Sequence, residues 1–489
     1  FARRHVCIPI ERLGSKLTVA VDNPYDLQLI QTLRDVTQHD IAIVVASKSD
    51  ILKSITEVYG FQKAVQGAVK ELSQGGPDLS NLSQFVQLKD VDEIEATDRH
   101  VVNAVDYIFH YAFDQRASDI HIEPKRDHSM VRMRIDGKLH DIYTMPRNVH
   151  AAMVSRIKML SRMDIAERRR PQDGRIKTER NDREIELRAS TLPVAFGEKM
   201  VLRIFDPEIL LQDLDALGFF PDDQALWMEF INKPTGIILV TGPTGSGKTT
   251  TLYSTLHYIA KPELNLTTIE DPIEMIFEPF NQVLVQNKID LTFASILRTV
   301  LRQDPDVIMI GEIRDAETAQ MAVQAALTGH LVFSTVHTND APSAITRLLD
   351  LNVEPFKIAS TLVGVMAQRL VRMICNNCRA KTVLNPEQIE LLEIKLAPGA
   401  EAVLPVQYGE GCVRCRGTGL YGRTGIFELM SVTSTIRNLI KRNATAEEIE
   451  RAARADGMHT LRERAIRKMA TGETSFGEVA GMLGDKSGG

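Results

Sequence analysis

Residues 242–250 read GPTGSGKTT, directly after the apolar run GIILVT. Glycine at Gly242, Gly245 and Gly247 frees a loop to turn its backbone N–H groups toward an anion. Lys248 adds a point charge near the outer phosphates, and the Thr249 hydroxyl suits Mg2+. The segment opens a predicted helix, the context in which this pattern is a phosphate loop rather than a structural glycine turn. Gly242, Pro243, Thr244, Gly245, Ser246, Gly247, Lys248, Thr249 and Thr250 are therefore the predicted ATP-binding residues, with Lys248 also catalytic.

A second stretch, VIMIGEIRD at 307–315, ends an apolar run in charge. A carboxylate at the carboxyl end of a buried parallel strand lies where such sheets bind ligands, so Glu312 is predicted to face the γ-phosphate and orient the attacking water. Gly311 stands where phosphate-loop enzymes usually place an Asp that helps hold Mg2+. TIEDPIE at 268–274 offers a replacement, with Glu270 as the predicted second carboxylate near Mg2+ or water; the plainer reading is a solvated acidic turn before Pro272. In TGHLVFSTVHTND, His330 and His337 bracket another apolar run. A lone histidine is more often structural, yet both are predicted to flank the phosphate edge, where a neutral imidazole could sense the γ-phosphate by donating from one nitrogen.

Four of the five cysteines form two Cys-x-x-Cys pairs, Cys375 with Cys378 and Cys412 with Cys415, separated by 33 residues. Two such knuckles suit a tetrahedral Zn2+ with a structural role, and a redox dithiol is the alternative. Cys7 reads as an ordinary small apolar residue.

These residues need elements to hold them. Residues 1–61 alternate strand and helix signals (KLTVAV, DLQLIQTLRD, IAIVVA), which predicts a small α/β docking domain whose first part is missing. A polar, acidic linker spans 62–97. Residues 98–212 read as an α+β domain, with a helix HVVNAVDYIFHYAFDQ and strands SMVRMRIDGKL, REIELRAS and KMVLRIF. From 213 to 372, buried strands alternate with helices, the pattern of a doubly wound parallel sheet. The cysteines define 373–423, and 424–489 reads as helical, with capping boxes at Thr445–Glu448 and Ser475–Glu478.

Composition narrows the partners. The 489 residues are 44% hydrophobic and 25% charged, ordinary for a multidomain globular chain. The longest apolar runs fall far short of the roughly 18 residues that a membrane-crossing helix needs. Lys and Arg total 58 against 64 for Asp and Glu, a formal charge of -6, which argues against a broad nucleic-acid footprint. A nucleic-acid translocase or binding protein that uses the cysteine knuckles for contact, best supported by the basic run AERRRPQDGR, is the reading from another class. The start at Phe1 without a leader reads as an N-terminally trimmed cytosolic chain.

From ASDIHIEP (117–124) through RRRPQDGRI, STLPVAFGEK, GPTGSGKTT, TIEDPIE, LRQDPDVIMIGEIRD and TGHLVFSTVHTND to the cysteine pairs, the chain resembles the ATPases of type II secretion (GspE-like) and type IV pilus assembly (PilB-like). The resemblance implies a RecA-like P-loop core, a preceding PAS-like α+β domain, ATP and Mg2+ as ligands, and a homohexameric ring. It implies that Arg188 and Arg203 reach nucleotide from the domain before the core, and that Arg298, Arg302 and Arg314 match basic residues on the core, although alternating arginines on strands usually mark a solvated face. The N-terminal domain would dock on the cytoplasmic domain of an inner-membrane platform protein, making the chain cytoplasmic and peripheral at the inner membrane. Assembly ATPases of this family carry the tetracysteine subdomain and retraction ATPases lack it. VMAQRLVRMIC looks slightly closer to the secretion branch, so type II secretion is the leading expectation and pilus extension the alternative. RLG at 12–14 is not enough to predict cyclic di-GMP binding.

Overall fold

A computed structural model describes the chain except for residues 3–4, 49, 53, 56–64, 67–85, 88–99, 181–182, 395–403 and 485–489. The chain divides into two units, Phe1–Phe205 and Asp206–Gly489. Most of the predicted linker at 62–97 lies outside the described residues; within it, Val86–Gln87 forms a short strand.

The first unit opens with a three-stranded sheet, Cys7–Leu13, Lys16–Val21 and Asp40–Val45, in that order. The last two strands are parallel and helix Leu27–Thr37 crosses between them, its N-terminus capped by the Asp26 carboxylate. Cys7 is buried with Val19, Val21, Leu29 and Leu33, an ordinary core residue.

A seven-stranded sheet follows, in the order Val86–Gln87, Gln172–Arg180, Arg183–Val194, Gly197–Phe205, Ala117–Pro124, Ser129–Ile135, Lys138–Met145. Period-two alternation puts Ile120, Ile122, Val131, Met133, Leu187 and Leu202 into one core with helices His100–Asp114 and Arg147–Leu160. The intervening residues take the opposite face. There Arg175, Arg188 and Arg203 are direct cross-strand neighbours, and Asp119 and Arg134 continue the row.

The second unit is built on a seven-stranded sheet ordered Asn281–Leu284, Leu266–Glu270, Val307–Ile310, Leu331–Val336, Gly236–Thr241, Leu362–Ile374, Leu420–Ser431. All pairings are parallel except the last. Every residue of Gly236–Thr241 and Leu331–Val336 is buried, as in a sheet covered on both faces. Ile238 and Val240 join Leu252 and Leu256 in one core, while Ile237 and Leu239 join Ala319 and Ala322 in the other.

Residues 424–431 belong to strand Leu420–Ser431, so the helical reading of the chain beyond 424 starts too early; the apolar run IFELM pairs antiparallel with Leu362–Ile374. Helices Ser434–Lys441, Ala446–Ala455, Leu461–Ala470 and Phe476–Gly484 follow. The Thr445–Glu448 box is formed, whereas the Glu478 carboxylate reaches Arg372. No described helix is long and apolar enough to cross a membrane.

Candidate nucleotide site and cysteine centre

The phosphate loop leaves strand Gly236–Thr241 and enters helix Lys248–Ile259. Gly242, Gly245 and Gly247 have φ of 148°, 81° and 89°, which side-chain-bearing residues resist. Gly242 and Gly247 are also crowded: a Cβ would lie 2.5 Å from the Gln368 carbonyl oxygen at the first and 2.9 Å from Gln368 Nε2 at the second. Lys248 Nζ spans the loop, donating to the carbonyls of Gly242 (2.7 Å) and Pro243 (3.1 Å). Burial lowers its pKa to about 8, against the pull of Glu312 and with help from Arg369. Ser246 Oγ is buried without a hydrogen-bond partner. Left-handed glycines, a desolvated cation and an orphan hydroxyl at a helix N-terminus fit a bound phosphate chain.

Glu312 faces this loop from the end of strand Val307–Ile310. Oε1 pairs with Arg314, and Oε2 lies 3.3 Å from His337 Nε2. Gly311 holds the strand end close to its neighbour: its N–H donates to the Ile269 carbonyl at 2.8 Å, and a Cβ would come within 3.2 Å of that oxygen. A close approach therefore explains glycine at a position where Asp is usual.

Glu270 departs from the predicted role. It is 4% exposed, one oxygen accepts from Tyr253 Oη (2.6 Å), and the other accepts from Thr268 Oγ1 (2.6 Å) and Gln282 Nε2 (3.2 Å). Burial and Glu270 push the Tyr253 pKa up, which keeps the phenol a donor. The carboxylate is satisfied inside the protein instead of opening onto Mg2+ or water, and the exposed acid of this turn is Asp271.

His330 is also misplaced by the sequence reading. Its carbonyl accepts from Gly236 N–H, at the start of the strand that reaches the loop six residues later. At about 3.3 Å per residue that is roughly 20 Å from the phosphate edge. A strand has two ends, and the two histidines occupy opposite ones. His330 Nδ1 bonds with the Ala325 carbonyl (2.8 Å) at the C-terminus of helix Ala316–Leu327.

Arg298, exposed on helix Phe293–Val300, donates to Glu317 (2.9 Å), and Arg302, exposed just past the end of that helix, donates to the Arg298 carbonyl (2.9 Å), while Arg314 sits in the site. In the first unit, Arg188 donates to Glu186 (2.9 Å) and lies over the Phe205 ring at 4.1 Å, and Arg203 donates to Asp119 (3.1 Å).

Sequence reasoning missed the residues that brace the loop from behind. Thr241 Oγ1 accepts from Thr338 N–H (2.8 Å), tying the strand before the loop to the residue after His337. Gln368 Oε1 accepts from Thr251 Oγ1 (2.9 Å). Arg369 donates to the Asn339 carbonyl (3.0 Å), and Nη1 lies 3.2 Å from the point where a Gly242 Cβ would be. The signal was a Gln-Arg pair in the middle of a mostly apolar strand.

The four cysteines meet where strands Leu362–Ile374 and Leu420–Ser431 emerge from the sheet, closing the base of hairpin Arg379–Leu384/Leu404–Gly409. Sγ distances are 3.8 Å (Cys375–Cys412), 3.7 Å (Cys378–Cys415) and 3.7 Å (Cys412–Cys415), and all four lie within 4.8 Å of one another. Sulfurs placed tetrahedrally around Zn2+ at about 2.3 Å would stand about 3.8 Å apart. The N–H groups of Cys412 (3.1 Å) and Gly419 (3.2 Å) point at Cys415 Sγ, favouring the thiolate that a metal requires.

A doubly wound parallel sheet with a phosphate loop and a facing strand-end glutamate defines a P-loop ATPase. The profile of the Type II/IV secretion system protein family matches residues 95–481 and that of the MshEN domain residues 1–65, and the chain belongs to the former family. It is 45% identical over 483 residues to the type IV pilus assembly ATPase TfpB of Acinetobacter baylyi, covering 98% of this chain and 82% of that one. Against the type II secretion system protein E of Xanthomonas campestris it is 40% identical over 482 residues, covering 98% and 83%. Among solved structures, the pilus retraction motor PilT with bound ADP matches with a TM-score of 0.53 and 27% identity, over 77% of this chain and 95% of PilT. The Legionella pneumophila ATPase DotB shares the fold, with a TM-score of 0.59 at 20% identity over 82% and 100%.

Proposed function

We propose that the chain is a cytoplasmic ATPase, peripheral at the inner membrane, that works as a homohexameric ring and drives assembly of pilin-type subunits through a membrane platform protein contacted by its N-terminal domain. The placement of Glu312 opposite Lys248, braced by His337, carries the reading. Lys248 would hold the β- and γ-phosphates, and Thr249 would hold Mg2+, which neutralises phosphate charge. Glu312 orients a water for attack on the γ-phosphorus and takes its proton, while the bond to the bridging oxygen breaks and ADP leaves. Arg188 and Arg203, from one subunit's arginine row, stabilise charge on nucleotide held by another. Glu270 acts indirectly, fixing Tyr253 and with it the helix behind the loop. Zn2+ in the cysteine cluster is structural, and nucleic acid is not a partner.

The sequence resemblance puts pseudopilus assembly for type II secretion first. Pilus extension has its own support in the identity to TfpB (45%) and to the PilB of Myxococcus xanthus (41%) over 98% of this chain, a span that the type II secretion system protein E of Xanthomonas campestris (40%) matches equally. Deleting the gene and scoring exoprotein release beside surface pili, with Glu312→Gln complementation as the activity control, separates the two. Lost secretion with intact pili establishes the export reading, lost pili with normal secretion establishes pilus extension, and loss of neither contradicts both.

A further inference from the structure

Five consecutive residues after strand Leu331–Val336 each touch a different part of the second unit. His337 meets Glu312, Thr338 binds Thr241 ahead of the phosphate loop, and Asn339 accepts from Arg369. Asp340 Oδ1 accepts the Ser343 N–H (2.8 Å) in the first turn of helix Pro342–Asp350. Ala341, fully buried, donates its N–H to Oε1 of Glu428 at 2.8 Å.

Glu428 is 4% exposed, and its second oxygen accepts the N–H of Leu461 at 2.9 Å. Leu461 is the first residue of helix Leu461–Ala470, where the N–H has no partner within its own helix. One carboxylate thus serves the starts of two helices, where an anion is favoured. Burial raises its pKa to about 7 against the pull of both N–H donors, and Asp340 and Glu450 add to the rise. Such a costly group persists where both its bonds are needed. The same helix is also anchored through a side chain, with buried Arg464 donating to Asp222 (2.6 Å) and Asp223 (2.5 Å) on helix Pro221–Ile231.

We infer that Glu428 is a positioning residue for ATP hydrolysis: by holding the N–H of Ala341 and the N–H of Leu461 together, it sets the loop that presents His337 to Glu312 and links that loop to the C-terminal helices. The inference rests on the ATPase reading. Movement of helix Leu461–Ala470 would reach the catalytic carboxylate through four residues of backbone, and closure around nucleotide would travel the same route outward.

The test compares steady-state ATP hydrolysis by the full chain in four forms: wild type, Glu312→Gln, Glu428→Gln and Leu461→Pro. Glutamine keeps the shape but turns an amide donor toward one of the two N–H groups. Proline removes the N–H that Glu428 accepts, at a helix position that tolerates it, and with it the Leu461 side chain that packs on two cores, so Glu428→Gln, which leaves that packing intact, must agree with it. The expected result is a kcat at least about tenfold lower in Glu428→Gln and in Leu461→Pro, with KM within about twofold of wild type and far-UV circular dichroism unchanged. A mere packing role would leave kcat intact in the folded fraction. Wild-type kcat in either folded variant overturns the proposal. Hydrolysis that persists in Glu312→Gln would instead overturn the role given to Glu312, and no hydrolysis by the wild type would overturn the ATPase reading, so these failures are distinguishable from that of the proposal.

Discussion

His337 Nε2 stands 3.3 Å from Glu312 Oε2, joining two strand ends that are 25 residues apart in sequence. The contact fixes the carboxylate proposed to aim the attacking water, and it separates two histidines with similar sequence surroundings. His337→Ala should lower kcat by about tenfold or more, because a mobile base loses its alignment. His330→Ala should leave kcat within about twofold and cost roughly 1 kcal/mol of stability through the lost bond at a helix C-terminus. Kinetics and thermal melts on both variants check the pair.

Lys248 makes nucleotide affinity pH-dependent. Its pKa in the free chain is lowered to about 8, first by burial, while bound phosphates hold the ammonium charged. Above pH 8 binding must therefore take up a proton, and affinity should fall by up to about tenfold per pH unit; below pH 8 this group contributes no slope. Calorimetric titration with ADP between pH 7 and about 9.5, in buffers of different ionisation enthalpy, should show proton uptake appearing only in the upper half.

Removing metal from the cysteine centre should loosen what it closes. Chelation or Cys375→Ser should release bound zinc and speed amide exchange in strands Arg379–Leu384 and Leu404–Gly409. Strand Gly236–Thr241, buried at every residue, should keep its protection.

The arginine row supplies a test of ring formation. If Arg188 and Arg203 serve nucleotide on another copy, specific ATPase activity should climb with protein concentration. Arg203→Ala should lower the plateau by at least about tenfold without weakening self-association. Activity per chain that stays flat from a dilution at which sedimentation shows monomers would contradict action in trans.

Much of the site was legible because its chemistry is local in sequence. The phosphate loop, Glu312 and the cysteine pairs each sit within a few residues of an apolar strand, and strand ends are where such sheets do chemistry. What escaped depended on which end of a strand a residue occupies, and on partners distant in the chain. His330 and His337 flank one strand and look equivalent until Gly236 pairs with the first. Glu270 looked open because Tyr253 and Gln282, which close it off, lie 17 residues before it and 12 after it. Glu428 lies in an apolar run that the sequence reading placed in the helical stretch from 424 and the structure places in a strand, and its two backbone partners, 87 and 33 residues away, had no sequence signature.

The central claim is that Glu312 performs hydrolysis while the loop at 242–250 performs binding. Phosphate release and fluorescent-nucleotide affinity should be measured on the same preparations of wild type and Glu312→Gln. The account predicts that the variant loses roughly 10²-fold to 10³-fold in kcat and binds nucleotide as tightly as wild type. Near-wild-type turnover, or loss of binding in place of turnover, would contradict it.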